Sequence, residues 1–215
     1  MTVRIHSRPR PGSAWSKRLR TATVTLLAVG AAAGLASCAG ANEDSSIPGP
    51  PSNGVARTPP PPWPAPAAAE PGARVAGLPV SPMGQVVEHY HPKLTILVNG
   101  RPVRVPANIG VNTETGAMSP LHTHDASGEV HIEAAEAGRH YTLGQLFDEW
   151  QVALDANRIG GLTTTSKAHV RAFVNGAPVP GDPAEITLRP QQHITLTYGP
   201  VDQASPTPDN PSHGG

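Results

Sequence analysis

Two β-rich runs, LTILVNG at 94–100 and VRAFVNG at 170–176, each end on Asn-Gly, and that pair restricts the chain more than any other feature. Asn and Gly both tolerate positive φ, so each dipeptide predicts a two-residue hairpin turn. A second short extended piece is expected after each run, over 102–109 and 184–188. The pattern V-N-G-x-P-V recurs at 98–103 and 174–179, as a duplicated hairpin or as two independent solutions to one turn. Between the runs the sequence predicts one helix. Thr142 is placed as N-cap with Gln145 at N3, a capping box. Leu143, Leu146, Phe147, Trp150 and Leu154 then recur at helical spacing on one face, with Asp148, Glu149 and Gln151 opposite. The aromatic stripe reads as core. The last run, HITLTYG at 193–199, alternates with Ile194, Leu196 and Tyr198 on one face. The expected fold is α+β, a small twisted sheet of β-hairpins packed on one helix, with a β-grasp type as the candidate arrangement.

Composition sets the boundaries of that unit at 86–199. The 215 residues include 26 prolines, 22 glycines and only 4% aromatics, so the core must be small and aliphatic. Residues 38–85 are Pro-, Ala-, Gly- and Ser-rich without sustained periodicity, which predicts a disordered stalk, with polyproline II at 59–62. A proline-rich ligand for a partner is the alternative there. Residues 200–215 read as a disordered tail.

The first 37 residues read as a targeting segment. Six basic residues, from Arg4 to Arg20, precede an uncharged apolar run over 21–37. Leu35-Ala36-Ser37 then meets Cys38, the single cysteine, in the order of a bacterial lipobox, so the expectation is a cleaved signal and a lipid on Cys38. An uncleaved membrane helix is the competing reading, but the run is short for a span. Removal of 1–37 takes six of the 16 basic residues and none of the 16 acidic ones, leaving a formal charge of −6. An acidic product speaks against a nucleic-acid partner. A lone cysteine excludes an intramolecular disulfide and a C-x-x-C redox pair. The expected location is the extracytoplasmic face of the cell membrane, with the lipid as membrane partner and an envelope protein as candidate partner.

The chemistry concentrates in PLHTHDASGEVHIE at 120–133. His122/His124 and His89/His91 are H-x-H pairs, and in a strand residues two apart share a face. If D-A-S-G at 125–128 closes a two-residue loop, His124 faces Glu129, Thr123 faces Val130, His122 faces His131 and Leu121 faces Ile132. One face is then His, His, Glu, His and the other apolar, as a half-buried hairpin requires. A bulge at Gly128 would shift the register and scramble the faces. Imidazoles with a carboxylate suit a transition metal, copper or zinc, better than calcium or magnesium. The candidate ligands are His122, His124, His131 and Glu129. His89 and His91 would complete the site if their strand pairs beside the hairpin, and Asp125 would orient a ligand histidine. Set against this is a metal-free face, a hydrogen-bonded His/Glu network or a docking surface for an envelope partner. His140, His169 and His193 read as ordinary hydrogen-bonding histidines.

Two resemblances bear on these residues. Gly116, His122, His124 and Glu129 match the first half of the cupin metal motif, G-x5-H-x-H-x4-E, which would imply a metalloenzyme on a β-barrel; the second half is missing. H-Y-H at 89–91, V-P-A-N-I-G at 105–110, L-H-T-H-D-x-S-G-x-V-H-I-E at 121–133, Y-T-L-G-Q-L-F-x-x-W at 141–150, F-V-N-G at 173–176 and G-D-P at 181–183 together resemble a family of uncharacterised bacterial and archaeal extracytoplasmic proteins. That family has no established activity, so the resemblance implies a domain and no mechanism. No Ser-His-Asp or Cys-His order is legible, so an enzyme ranks behind metal capture, delivery or sensing and behind a metal-free scaffold.

Overall fold

Both Asn-Gly turns form as their chemistry demands. The structure, a computed structural model, describes residues 59–200. In chain order these residues form α1 (Glu70–Ala76), β1 (Glu88–Tyr90), β2 (Lys93–Val98), β3 (Arg101–Val103), β4 (Leu121–His122), β5 (His131–Ala134) and α2 (Leu143–Trp150). There follow β6 (Leu154–Asp155), β7 (Arg158–Ile159), β8 (Leu162–Thr163), β9 (His169–Val174), β10 (Ala177–Val179), a 3-10 turn at Pro183–Glu185, and β11 (His193–Gly199). Val98 pairs with Arg101 and Val174 with Ala177, leaving Asn99-Gly100 and Asn175-Gly176 as two-residue loops. All four loop residues have φ between 50° and 81°, the mirror-image turn whose twist matches paired strands. The extended pieces after the turns are shorter than expected: β3 stops at Val103, and the second hairpin is completed by β10 rather than by 184–188.

The last strand decides the topology. β11 inserts between the hairpins, antiparallel to β9 and parallel to β2, giving the order β10-β9-β11-β2-β3. Two hairpins, an intervening helix and a final strand parallel to the first make the β-grasp arrangement. Leu94, Ile96, Ala172, Ile194 and Leu196 from one face of this sheet share a core with Leu143, Leu146, Phe147 and Trp150 of α2. The sheets are open, so the barrel that a cupin requires is not formed and that reading fails.

One sheet and one helix were expected; the described residues hold three sheets and two helices. A small sheet β6-β7-β8 follows α2, and a third, in the order β1-β5-β4, carries the histidines. The predicted helix starts as read, with the Thr142 hydroxyl accepting from Gln145 N and Gln145 returning the bond to Thr142 N. It ends sooner, because Gln151 turns left-handed at φ 59°, so Leu154 lies on β6 instead.

The stalk reading is corrected over 59–85. Trp63 is 1% exposed, stacks edge-on against Trp150 with centroids 5.8 Å apart, and its carbonyl accepts from Trp150 Nε1. The segment that follows forms α1, which packs on α2. Gly72 makes that contact close, since a Cβ there would sit 2.5 Å from the Glu149 carbonyl oxygen. The expectations for 1–37, Cys38, the stalk over 38–58 and the tail over 201–215 fall outside the described residues. Among the described residues no helix is long and apolar enough to cross a membrane.

Candidate metal centre

The small sheet β1-β5-β4 is built by alternation. Tyr90, Ile132 and Leu121 are paired in one row and face the core, so their neighbours in sequence face the other way. His122 pairs with His131, and His89 with Glu133. Just past the end of β1 comes His91, whose ring lies 4.3 Å from that of His131. His131, on the central strand, is thereby flanked on both sides by imidazoles.

The expected register holds for Leu121–Ile132 and His122–His131 and then ends. Thr123 turns to another segment: its N–H donates to the Ile109 carbonyl, its carbonyl accepts from Asn108 N, and its hydroxyl accepts from Ile109 N and donates to the Pro106 carbonyl. The opposite arm is drawn away as well, Val130 N donating to the Pro92 carbonyl and Leu94 N to the Gly128 carbonyl. His124 and Glu129 are therefore not strand partners. Gly128 has no substitute in this turn, since at φ 84° a Cβ would lie 2.2 Å from the Leu94 carbonyl oxygen.

The imidazoles converge. His122 Nε2 is 3.1 Å from His124 Nε2, and His89 Nε2 is 2.9 Å from His91 Nε2. The His124 and His131 ring centroids are 4.4 Å apart, and the His122 and His131 rings stack at 5.4 Å. Two groups of donors result, His122/His124/His131/Glu133 and His89/His91/His131/Glu133, with the ligand atoms of each group all within 4.8 Å of one another. Such groups can hold a metal ion.

His122 is set as a neutral ligand. It is fully buried, and its Nδ1–H donates to the Ser119 carbonyl at 2.8 Å. A carbonyl only accepts, so the proton is on Nδ1 and the Nε2 lone pair faces His124. Burial pushes the imidazolium down to about 4, so the ring is neutral at ordinary pH. His131 is shifted in the same direction, first by burial and then by the His124 and His91 charges. At His122 and His131, burial thus favours the deprotonated form that a metal needs.

The carboxylate partner differs from the expected one. Glu133 belongs to both groups, with Oε1 at 3.3 Å from His89 Nε2 and 3.4 Å from His131 Nδ1. Glu129 reaches His131 Nε2 at 3.5 Å, is half exposed, and stands outside both groups. The period of two that places His131 outward places Glu133 outward too, so Glu133 was legible once β1 was known to flank β5. Asp125 does not orient a histidine; its carboxylate accepts from Ser127 N and holds the turn. The residue that orients His122 is Ser119, through its backbone.

Beneath the centre lies a group that helical periodicity assigned to solvent. Glu149 is fully buried, neither carboxyl oxygen has a hydrogen-bond partner, and burial pushes it up to about 8, although the approach of the Ser119 hydroxyl works the other way. The Gly110 backbone fits between it and the site. A Cβ on Gly110 would lie 2.8 Å from Glu149 Oε2 and 3.3 Å from His122 Cβ.

No family model, curated protein or solved structure matches this chain.

Proposed function

We propose that this protein binds a transition metal, copper or zinc, through its histidine face, and that it does so as a lipid-anchored protein on the outer side of the cell membrane, for capture, delivery or sensing. The observation that carries the reading is the fixed tautomer of His122: a buried ring whose only free lone pair is aimed at a second imidazole nitrogen 3.1 Å away, with His131 and Glu133 beside it. Neutral imidazoles and one carboxylate are the donor set of zinc and copper sites, whereas calcium and magnesium take oxygen shells. Support for the anchor comes from the order of basic residues, apolar run and Cys38 in the sequence.

The test is titration of the chelator-stripped protein with Cu(II) and Zn(II) beside a His122→Ala/His124→Ala variant. Tight stoichiometric binding that the variant weakens by at least tenfold is expected. Binding no tighter than that of an unstructured histidine peptide would end the metal reading. The face would then be a hydrogen-bonded docking surface, to be sought by pull-down from envelope extracts.

A further inference from the structure

We propose that the centre holds two metal ions, an inner one on His122, His124 and His131, anchored by the buried His122, and an outer one on His89 and His91, joined through Glu133; this rests on the metal-binding reading above. Five imidazoles and a carboxylate exceed the four donors of a tetrahedral site. Zinc or copper binds nitrogen at about 2.0–2.1 Å, so two ligands of one ion are never more than about 4.2 Å apart. The donors form two groups that share His131 and Glu133 but do not merge into one. The cause is the strand order: His89 and His91 come from one edge of the sheet and His122 from the other, with β5 between.

The shared residues lie where a bridge is needed. Glu133 carries two oxygens, and a carboxylate spanning two ions about 3.5–4 Å apart is a familiar arrangement in two-metal sites. The His131 ring is 4.3 Å from His91 and 4.4 Å from His124, midway between the pairs. It completes the inner position, where three imidazoles and a carboxylate oxygen make four donors. The outer position keeps three donors, His89, His91 and the other Glu133 oxygen, and so has a coordination site open to water or to an incoming ligand. The two differ in their anchor: His122, in the inner group, is fully buried although His124 beside it is exposed, whereas the His89 side chain of the outer group is 52% exposed. The inner ion is accordingly the slow one to leave and the outer ion the exchangeable one.

The experiment is a count of Cu(II) and of Zn(II) retained by the full chain against a competing chelator, with electron paramagnetic resonance of the copper form. Two ions per chain and a spin-coupled copper pair are expected for the wild type. His89→Ala/His91→Ala should retain one ion and give the signal of isolated copper, with an unchanged circular dichroism spectrum. Glu133→Gln should abolish the coupling. One ion per chain in the wild type, with the same count in the His89/His91 variant, overturns the two-ion arrangement and leaves the metal reading intact. Two uncoupled copper ions, or two ions retained by that variant, overturn it as well. No binding at all overturns both.

Discussion

His122 and Glu149 share one buried region and meet opposite fates there. The ring loses its proton readily because burial penalises its charged form, and its neutral form still has the Ser119 carbonyl to donate to. The carboxyl keeps its proton for the same reason, pushed from its ordinary 4.5 up to about 8 because burial outweighs the opposing effect of the Ser119 hydroxyl. The sign of the consequence follows from linkage. A folded state that holds a proton more tightly than the unfolded chain loses stability as pH rises, here from about 4.5 to about 8, and is level above that. Each pH unit in that window is worth about 1.4 kcal/mol at most for one group. Glu149→Gln keeps the shape and removes the charge, so its urea midpoint should exceed that of the wild type near pH 8 and converge with it below pH 4.5. Parallel midpoint curves for the two proteins would show that Glu149 ionises as readily in the folded state as in the unfolded chain. His122 and His131, whose imidazolium forms burial disfavours, contribute the opposite slope at lower pH, and the comparison of variant with wild type cancels them.

At the scale of elements, what was legible and what was not divides at α1. The two hairpins and the capping box of α2 were readable because Asn-Gly and Thr-x-x-Gln act through local backbone bonds. Polyproline composition over 59–62 argued for an extended stalk. Tertiary contact overrides it: the Pro59 carbonyl accepts from Trp63 Nε1 and Gly161 N, and the Trp63 ring fills the space over Gly160, where a Cβ would lie 2.6 Å from it. The misreading of Glu149 has the same origin, since the helix face assigned to water is the face that α1 covers. Trp63→Ala should therefore behave as a core substitution, costing about 3–5 kcal/mol by chemical denaturation. A loss within about 0.5 kcal/mol, the range of a surface change, would return the segment to the status of a tether.

For the whole molecule, the sequence ahead of the described residues sets the setting in which the fold works. If Cys38 carries a lipid as proposed, the domain that bears the histidine face is tethered, and more than one acyl chain on that cysteine would be enough for stable anchoring. Cys38→Ser should move the protein from the membrane pellet to the soluble or secreted fraction on fractionation of the expressing cells, with folding and metal binding unchanged. A variant that stays with the membrane would show that the apolar run over 21–37 spans it uncleaved. Were residues 1–37 removed as proposed, the formal charge of the remainder would be −6, which would suit the proposed capture of cations.

Sequence alone determined the features that depend on neighbours in the chain: the Asn-Gly turns, the α2 start, the two H-x-H pairs and the pairing of His122 with His131. Tertiary structure alone decided what depends on elements far apart in sequence. It placed β1 beside β5, which brought His89, His91 and Glu133 to a hairpin that the sequence had supplied with Glu129. It set the loop at 105–110 against Thr123, which opened that hairpin, and it laid α1 over α2, which buried Glu149. The reason is the range of the forces. Turns and caps are fixed by bonds spanning a few residues, whereas the burial that selects a histidine's protonation state is a property of everything packed around it.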